Sequence, residues 1–339
     1  MKLNVLTKNY GKGFTGATTA TYELIERWKE KGIDIEIFTL NKTDVVNKNV
    51  KVNTYSSLHH LISAINQRKK ETTIWYSDDH LGCILGLLGI KYVHTYHGNW
   101  PSALLKNGII NFFKGLVLMP LYVYTIKKSV LSVTVSYYAL NFVKKFQKHS
   151  IVVRNGISCE PIYTKKNIIF KNKPLKIIMV GNVDLRKYKN LFELIKKHNN
   201  DIYNFNIDVY GSIKDTKLIK QFSRKNIAFK GFKKNVPYKN YDIYLSLSGA
   251  ENLSIAMVEA IESGIPVISL DVGGSGEVVL NNVTGFLIDR FDTDKVFTFL
   301  NEEIWKQKLN FDNYNIVNEF NWGNSATKYE QFFTDLYKG

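Results

Sequence analysis

Cysteine and proline are scarce in this chain of 339 residues, which has two cysteines and six prolines. Cys83 and Cys159 each stand alone, without a CxxC pair or the spacing typical of a metal site. We therefore expect reduced thiols and a reducing compartment, which excludes a disulfide-rich secreted fold. The N-terminus lacks a long apolar run after its first lysine, so the sequence predicts no cleaved signal peptide and a cytoplasmic protein.

Acidic residues are also few, since 30 Asp and Glu face 46 Lys and Arg and leave a formal net charge of +16. Such an excess predicts an anionic partner: a phosphate-bearing substrate, an anionic membrane surface or a nucleic acid. A nucleic acid is the weakest of these, because the sequence has no zinc finger, no basic heptad region and no RNP-type aromatic motif. A composition that is simply rich in lysine is the alternative explanation.

Repeats and low-complexity runs are absent, and the length suits two domains of about 150 residues each. Strand-like runs alternate with helical stretches from end to end, which predicts parallel sheets flanked by helices. The fold class predicted is α/β, with two Rossmann-like, doubly wound domains. The expected divisions are a domain at residues 1–158, a polar linker at 159–174, a domain at 175–320 and a closing C-terminal helix at 321–339.

Apolar periodicity and turn residues locate the individual elements. The predicted strands are Leu3–Thr7, Asp34–Thr39, Thr73–Tyr76, Tyr92–Tyr96, Ser132–Ser136, Ile151–Arg154, Lys176–Val180, Phe205–Val209, Ile243–Ser246 and Val267–Leu270. The predicted helices are Ala17–Glu30, Leu58–Gln67, Tyr138–Phe146, Leu191–Lys197, Ile255–Ser263, Lys295–Lys308 and Asn324–Tyr337.

The segment Leu104–Leu131 is unusually apolar, with lysines spaced along it and an interruption expected at Pro120. Its apolar run is shorter than the roughly 20 residues that a membrane-spanning helix needs. A helix lying on an anionic membrane surface fits this pattern, with the lysines facing lipid headgroups. A buried core helix followed by a strand is the alternative.

The motif SGAENLSIAMVEA runs from Ser248 to Ala260 and follows an apolar strand. Ser254 is a suitable N-cap, so Glu251 precedes a helix while Glu259 lies inside it. The start of this helix, with Asn252, Leu253 and Ser254, offers free backbone N–H groups and a positive dipole end to a diphosphate. A carboxylate can accept two hydrogen bonds from vicinal hydroxyls of a sugar or ribose.

Two glutamates with seven residues between them, in this strand–loop–helix setting, resemble the signature of retaining glycosyltransferases of family 4, which have the GT-B fold. The resemblance implies that Glu251 contacts the transferred sugar and that Glu259 holds the nucleotide ribose. It extends to YVHTYHGN at 92–99, where His97 would face the donor sugar and His94 would be structural. The turn Asn155–Ile157 resembles the end of the family's first domain.

The stretch VGNVDLRKYKN at 180–190 resembles the family's phosphate-clamping segment, in which an Arg follows a glycine and a Lys comes about five residues later. Here Asn182 stands at the usual Arg position, and a short insertion precedes Lys189. The resemblance implies a catalytic cation at Lys189 and donor contacts from Arg186 and Lys187. Which of the three clamps the diphosphate is left open by the sequence.

Three further stretches resemble the family. The glycine-rich run DVGGSGEV at 271–278 resembles its donor-pocket loop, Thr284–Ile288 resembles the strand after it, and FNWGNSATKYEQFF, with Trp322, resembles its closing helix. In the first half, Gly11, Gly13 and Gly16 satisfy G-x-G-x-x-G, so a dinucleotide-dependent oxidoreductase is an alternative function. That alternative needs an acidic residue near Thr39, where none is present. Gly16 best matches the family's own glycine loop near the donor phosphates.

The sequence therefore predicts transfer of a hexose or hexosamine from a UDP-, GDP- or similar nucleotide sugar to a hydroxyl acceptor. The expected acceptor is a glycan or lipid-linked glycan of bacterial surface polysaccharide, met at the inner face of the cell membrane. No cofactor and no metal is expected, since the acidic pairs Asp78–Asp79 and Asp292–Asp294 lack His or Cys partners. A sugar-nucleotide epimerase, a phosphorylase and a noncatalytic binding protein are the alternatives.

Overall fold

The computed structural model describes residues 1–12, 15–98, 109–157, 165–166, 174–183, 185–213, 216–302 and 304–338. The chain divides into two compact units: Met1–Gly156 together with Phe320–Gly339, and Ile157–Glu319. Each unit contains its own parallel sheet, of seven strands in the first and six in the second. The predicted fold class, α/β with two doubly wound sheets, is confirmed.

The first unit alternates strands and helices along its chain. Its elements are β1 (Lys2–Tyr10), α1 (Gly16–Glu30), β2 (Asp34–Lys42), β3 (Lys51–Thr54), α2 (Leu58–Arg68), β4 (Ile74–Ser77), α3 (Gly82–Leu87), β5 (Tyr92–Tyr96), α4 (Ile109–Lys128), β6 (Leu131–Thr134), α5 (Tyr137–Val143) and β7 (Ser150–Val152). The strands lie in the order β3-β2-β1-β4-β5-β6-β7, and all are parallel. Strands that follow β1 in the chain are added first on one side of it and then, from β4 onwards, on the other, so the strand order reverses between β1 and β4.

The second unit repeats this arrangement, and the helix that follows it in the chain belongs to the first unit. Its elements are β8 (Lys165–Lys166), β9 (Leu175–Val180), α6 (Leu185–Lys197), β10 (Phe205–Tyr210), α7 (Thr216–Phe222), β11 (Ile227–Gly231), β12 (Ile243–Ser246), α8 (Ile255–Glu262), β13 (Val267–Leu270), β14 (Gly285–Ile288), α9 (Thr293–Glu302), β15 (Phe311–Asp312) and α10 (Tyr314–Glu319), followed by α11 (Trp322–Lys338). Its main sheet has the order β11-β10-β9-β12-β13-β14, with the reversal between β9 and β12.

Aromatic packing attaches α11 to the first unit. The Trp28 ring on α1 lies edge-on to Tyr329 and Phe333 of α11, with ring centroids 5.4 and 5.1 Å apart. The Ser325 hydroxyl donates a hydrogen bond to the Arg154 carbonyl at 2.6 Å. Each aromatic pair contributes roughly 0.5–1.5 kcal/mol beyond the area it buries, so the first unit depends on this helix for its core.

Buried parallel strands were the most predictable elements. Tyr92–Tyr96, Ile243–Ser246 and Val267–Leu270 have the bounds that the sequence indicated, because a strand covered on both faces is a continuous apolar run. Helix α6 begins at Leu185, six positions before the predicted start at Leu191. The sequence analysis missed β3, α3, α7 and β11, which are short; β3 also has only one apolar residue.

The apolar segment Leu104–Leu131 contains the 20-residue helix α4, and residues 99–108 lie outside the described part of the chain. The interruption expected at Pro120 is wrong, because the helix continues through it. Proline has a helical φ and removes one hydrogen bond, and the affected carbonyl, of Leu116, lies on an exposed part of the helix where water can replace that bond. Among the described residues, no helix combines the length and apolar character needed to cross a membrane.

Candidate active site

The main cluster of predicted site residues lies in the second unit, at the carboxyl ends of β9 and β12. The strand order reverses between these two strands, and ligands of doubly wound sheets bind in the crevice at such a point. A small crevice is present there, lined by Val180, Lys187, Tyr244, Ser246 and Ser248 among others. The fold therefore creates a ligand crevice at the place where the motifs converge.

Glu251 stands in the loop between β12 and α8, with its side chain mostly buried. Ser254 is the N-cap of α8, as predicted, but its hydroxyl makes no capping hydrogen bond. The first amides of a helix lack hydrogen-bond partners within the helix, and in the described part of the chain the N-cap side chain of α8 does not bind them. The amino end of α8, preceded by Asn252 and Leu253, is therefore available to an anion beside the Glu251 carboxylate.

Lys187 is the basic residue that reaches Glu251. Its Nζ lies 3.4 Å from Oε1 of Glu251, and its side chain is only 18% exposed. The lysine passes over Gly181, where an added Cβ would lie 2.6 Å from the Lys187 Nζ atom. A glycine at the end of β9 thus makes room for the cation.

Lys189, another of the predicted cations, is not brought to Glu251 by the described contacts. Lys189 is 71% exposed and lies 3.6 Å from Glu193, one turn further along α6. Arg186 belongs to α6, but its side chain lies outside the described part of the structure. Among the described side chains, Lys187 is therefore the cation that the geometry favours.

Glu259 lies within α8 and contacts a residue that the sequence analysis missed. The Tyr238 hydroxyl donates a hydrogen bond of 2.7 Å to Oε2 of Glu259. Burial raises the pKa of Glu259, and the hydrogen bond from Tyr238 acts in the opposite direction. No local spacing could have revealed this pair, since Tyr238 follows a different strand.

The predicted glycine-rich loop packs directly on the Glu251 loop. Gly273 has a φ of +61°, and a Cβ there would lie 1.6 Å from the Glu251 carbonyl oxygen. A Cβ at Gly274 would lie 1.9 Å from the carbonyl oxygen of Asn252. Because two backbones touch at these positions, the glycines fix the shape of the loop that carries Glu251.

His97 and Gly16 belong to the first unit. His97 follows β5 directly, and burial lowers the pKa of its imidazole to about 4, so that the ring is neutral at physiological pH. His94, interpreted as structural, is fully buried on β5 with its Nδ1 3.0 Å from the Ser77 hydroxyl. Gly16 opens α1, and apart from its chain neighbours and the backbone of its own helix no described atom lies within 4 Å of the place that a Cβ would occupy.

Acidic residues outside these motifs have structural contacts. Asp78 accepts a 2.5 Å hydrogen bond from the Thr21 hydroxyl, and burial together with Asp79 raises its pKa to about 7. Asp292 accepts from the Lys295 amide at 3.0 Å, which is the contact of a capping residue at the start of α9. In the part of the chain that the structure describes, no three His, Cys, Asp or Glu side chains are placed to hold a metal. Cys83 is buried and free, and Cys159 lies outside the described residues.

Residues 163–306 match the family Glycosyl transferases group 1. This segment lies within the second unit and contains Lys187, Glu251 and Glu259. The second unit therefore contains a segment similar to the group 1 glycosyltransferases. The predicted enzyme class is thereby confirmed, whereas membership of family 4, retention at the anomeric carbon and the roles of individual residues stay predictions.

Three curated relatives show the range of similar proteins. The GtfA subunit of UDP-N-acetylglucosamine–peptide N-acetylglucosaminyltransferase from Streptococcus agalactiae is 33% identical over 31% of this chain and 22% of its own length. An uncharacterised protein of the Klebsiella pneumoniae cps region is 27% identical over 50% of this chain and 48% of its own. An Escherichia coli UDP-Gal:α-D-GlcNAc-diphosphoundecaprenol α-1,3-galactosyltransferase is 28% identical over 33% of this chain and 31% of its own. This chain thus spans well under two thirds of the length of these relatives.

Solved structures match over nearly the full chain. Sucrose-phosphate synthase from Thermosynechococcus elongatus superposes with a TM-score of 0.75 at 15% identity, covering all of both chains. HepE from Anabaena, solved in complex with UDP, superposes with a TM-score of 0.72 at 14% identity, covering 99% of this chain and 100% of its own. At such low identity the likeness establishes the fold alone, and that fold is GT-B.

Proposed function

We propose that this chain is a retaining glycosyltransferase of family 4 that moves a hexose or hexosamine from a nucleoside-diphosphate sugar to a hydroxyl acceptor. The observation that carries the proposal is the meeting of Lys187, Glu251 and the amino end of α8 at the strand-order reversal of the second sheet. A buried cation, a helix dipole and a carboxylate together match an activated sugar diphosphate.

The donor would occupy this crevice with its diphosphate against Lys187 and the α8 amides. The ribose hydroxyls would bind Glu259, and the sugar would bind Glu251; a contact of the sugar with His97 stays a prediction of the family resemblance alone. UDP is the first nucleotide to test, because the structurally similar HepE was solved with UDP.

The reaction breaks the bond between the anomeric carbon and the diphosphate oxygen and forms a bond from the acceptor oxygen to the same carbon. For retention, the acceptor attacks the face that the diphosphate leaves. The departing phosphate oxygen takes the acceptor's proton, so the products are a glycoside and a nucleoside diphosphate. Lys187 and the α8 dipole stabilise the negative charge as it develops on the leaving group.

The decisive experiment is a donor screen followed by product analysis. One of UDP, GDP, ADP or CMP should raise the melting temperature, because a ligand that binds only the folded state stabilises it. The corresponding nucleotide sugar should then give a glycoside with its anomeric configuration kept, as read by NMR coupling constants. Glu251→Gln should lower turnover by at least about 100-fold, a loss typical of removing one group that stabilises a transition state.

Other products would contradict the transferase. Conversion of the donor sugar to its epimer without acceptor would indicate an epimerase, and a requirement for free phosphate would indicate a phosphorylase. An unchanged function in the Glu251→Gln variant would indicate a noncatalytic sugar-binding protein. An inverted product would overturn retention while leaving glycosyl transfer intact.

We also propose that the acceptor is a lipid-linked glycan of bacterial surface polysaccharide, met at the inner face of the cell membrane. Support comes from the similar protein of a cps region and from the similar galactosyltransferase named for a diphosphoundecaprenol acceptor. The first half of α4 adds a physical reason. Phe112, Phe113, Leu116 and Val117 form an exposed apolar stripe at helical spacing, which we call the α4 stripe.

The composition of the α4 stripe favours an anionic lipid surface as its occupant. Phe113 and Val117 are 61% and 65% exposed, so their apolar area is available for insertion between lipids. Lys114 lies beside them, and Lys127 and Lys128 end the same helix. With a net charge of +16, the protein as a whole is attracted to anionic headgroups.

The double change Phe113→Ser and Val117→Ser is expected to weaken liposome binding on the order of tenfold, because it removes apolar area from the membrane contact. Flotation with vesicles of phosphatidylglycerol and phosphatidylcholine measures this. Ile202→Ser is the matched control, since Ile202 is 82% exposed but lies in the second unit. Failure of the unchanged protein to float with anionic vesicles, or an equal loss in the control, would contradict the membrane proposal.

A further inference from the structure

Tyr238 is held firmly in a turn that follows β11. It opens a short 3₁₀ helix, Tyr238–Asn240, that comes directly after Pro237. The Tyr238 amide donates to the Val236 carbonyl at 3.0 Å, and its own carbonyl accepts from the Tyr241 amide at 3.0 Å. The residue is 6% exposed. A buried tyrosine fixed at both backbone ends can hold a hydrogen-bond partner in one position.

That partner is one oxygen of the Glu259 carboxylate. The Tyr238 hydroxyl donates to Oε2 at 2.7 Å, a short hydrogen bond of the kind that a charged acceptor makes. Among the described residues, no hydrogen bond reaches the other oxygen, Oε1. One end of the carboxylate is therefore anchored, and the other end is left for a ligand.

A glutamate side chain has several rotatable bonds, and fixing it when a ligand binds costs conformational entropy. A hydrogen bond that already holds the glutamate side chain in one rotamer before the ligand binds removes part of that cost and so increases affinity. The gain in affinity is largest for a ligand with vicinal hydroxyls, because both hydroxyls must donate to the carboxylate in a single orientation.

We propose that Tyr238 is a positioning residue for ribose recognition: it holds the Glu259 carboxylate in the orientation that receives the 2′- and 3′-hydroxyls of the donor nucleotide. This inference rests on the proposed function, in which Glu259 binds the ribose. It adds a residue from another loop to the donor site and predicts that Tyr238 controls the preference for ribonucleotides over 2′-deoxynucleotides.

The test compares nucleotide pairs by calorimetry: UDP with 2′-deoxy-UDP and, if neither binds, GDP or ADP with their 2′-deoxy analogues. The unchanged enzyme should bind the ribonucleotide more tightly than its deoxy analogue. Tyr238→Phe should weaken ribonucleotide binding by about 5–10-fold and deoxynucleotide binding by no more than about twofold, which lowers the preference. Equal weakening of both, or of neither, would assign Tyr238 a merely structural role and overturn the inference.

Two further variants separate the inference from the proposed function. Tyr241→Phe is the matched control, because Tyr241 belongs to the same turn but donates to Asp208 at 2.7 Å; its preference should equal that of the unchanged enzyme. Glu259→Gln should lose the ribose preference. If Glu259→Gln keeps it, the ribose assignment of the proposed function fails; if Glu259→Gln loses it while Tyr238→Phe keeps it, only the role of Tyr238 fails.

Discussion

Replacement of Lys187 by alanine is expected to lower kcat by about 10²–10³-fold, the loss seen when one group that stabilises developing charge is removed. Lys187 is mostly buried beside Glu251, where its charge is screened little by water. In the variant, the departing diphosphate would keep the α8 dipole but lose the cation. Donor turnover with the nucleotide sugar identified by the thermal screen measures the effect.

Lys189→Ala supplies the matched control from the same helix. Lys189 is exposed and pairs with Glu193, and surface pairs of this kind contribute little to stability. Its turnover is expected to stay within about twofold of the unchanged enzyme. A large loss in Lys189→Ala together with normal turnover in Lys187→Ala would reverse the assignment and return the catalytic cation to Lys189.

The second large effect is expected from Gly273→Ala. An alanine in the left-handed conformation found at Gly273 costs about 1–2 kcal/mol, and its Cβ would also overlap the Glu251 carbonyl oxygen, which adds about 1–3 kcal/mol of crowding. We therefore expect the melting temperature of the second unit to fall by about 5–15 °C. Because the Glu251 loop must move to make room, donor affinity should fall at least about tenfold.

Gly249→Ala distinguishes this effect from a general intolerance of the loop. Gly249 lies two residues before Glu251, and apart from its chain neighbours no described atom lies within 4 Å of the place that its Cβ would occupy. The variant should melt and bind the donor nearly as the unchanged protein does. Calorimetry and nucleotide titration of both variants check this, and similar behaviour of the two would show that the backbone contact at Gly273 is unimportant.

The case of Lys187 and Lys189 shows why the sequence alone could not predict which cation faces the crevice. Counting residues from the family's pattern favoured Lys189, but the start of α6 at Leu185 decides which side chains face the crevice. Successive helical residues turn by about 100°, so two positions reverse the direction of a side chain. The sequence predicted α6 from Leu191 onwards, and with that start neither lysine could be assigned a face.

The motif around Glu251 and Glu259 was predictable because it is local. A strand, a loop, a capping serine and an apolar helix follow one another in the sequence, and each carries its own signal. Tyr238 illustrates the opposite case. Its contact with Glu259 depends on how a turn after β11 approaches a helix after β12, and such tertiary proximity has no periodicity that a single sequence displays.

The placement of α11 in the first unit has a consequence for biosynthesis. Trp28 and Tyr76 lie against Phe333, so part of that unit's core comes from residues 322–338. A ribosome delivers all of residues 157–319 before this helix. The first unit therefore cannot complete its core until residues 322–338 have been synthesised, and its aromatic side chains stay uncovered until then. The second unit can already have folded by that time. In most multidomain chains, by contrast, the order of folding follows the order of synthesis.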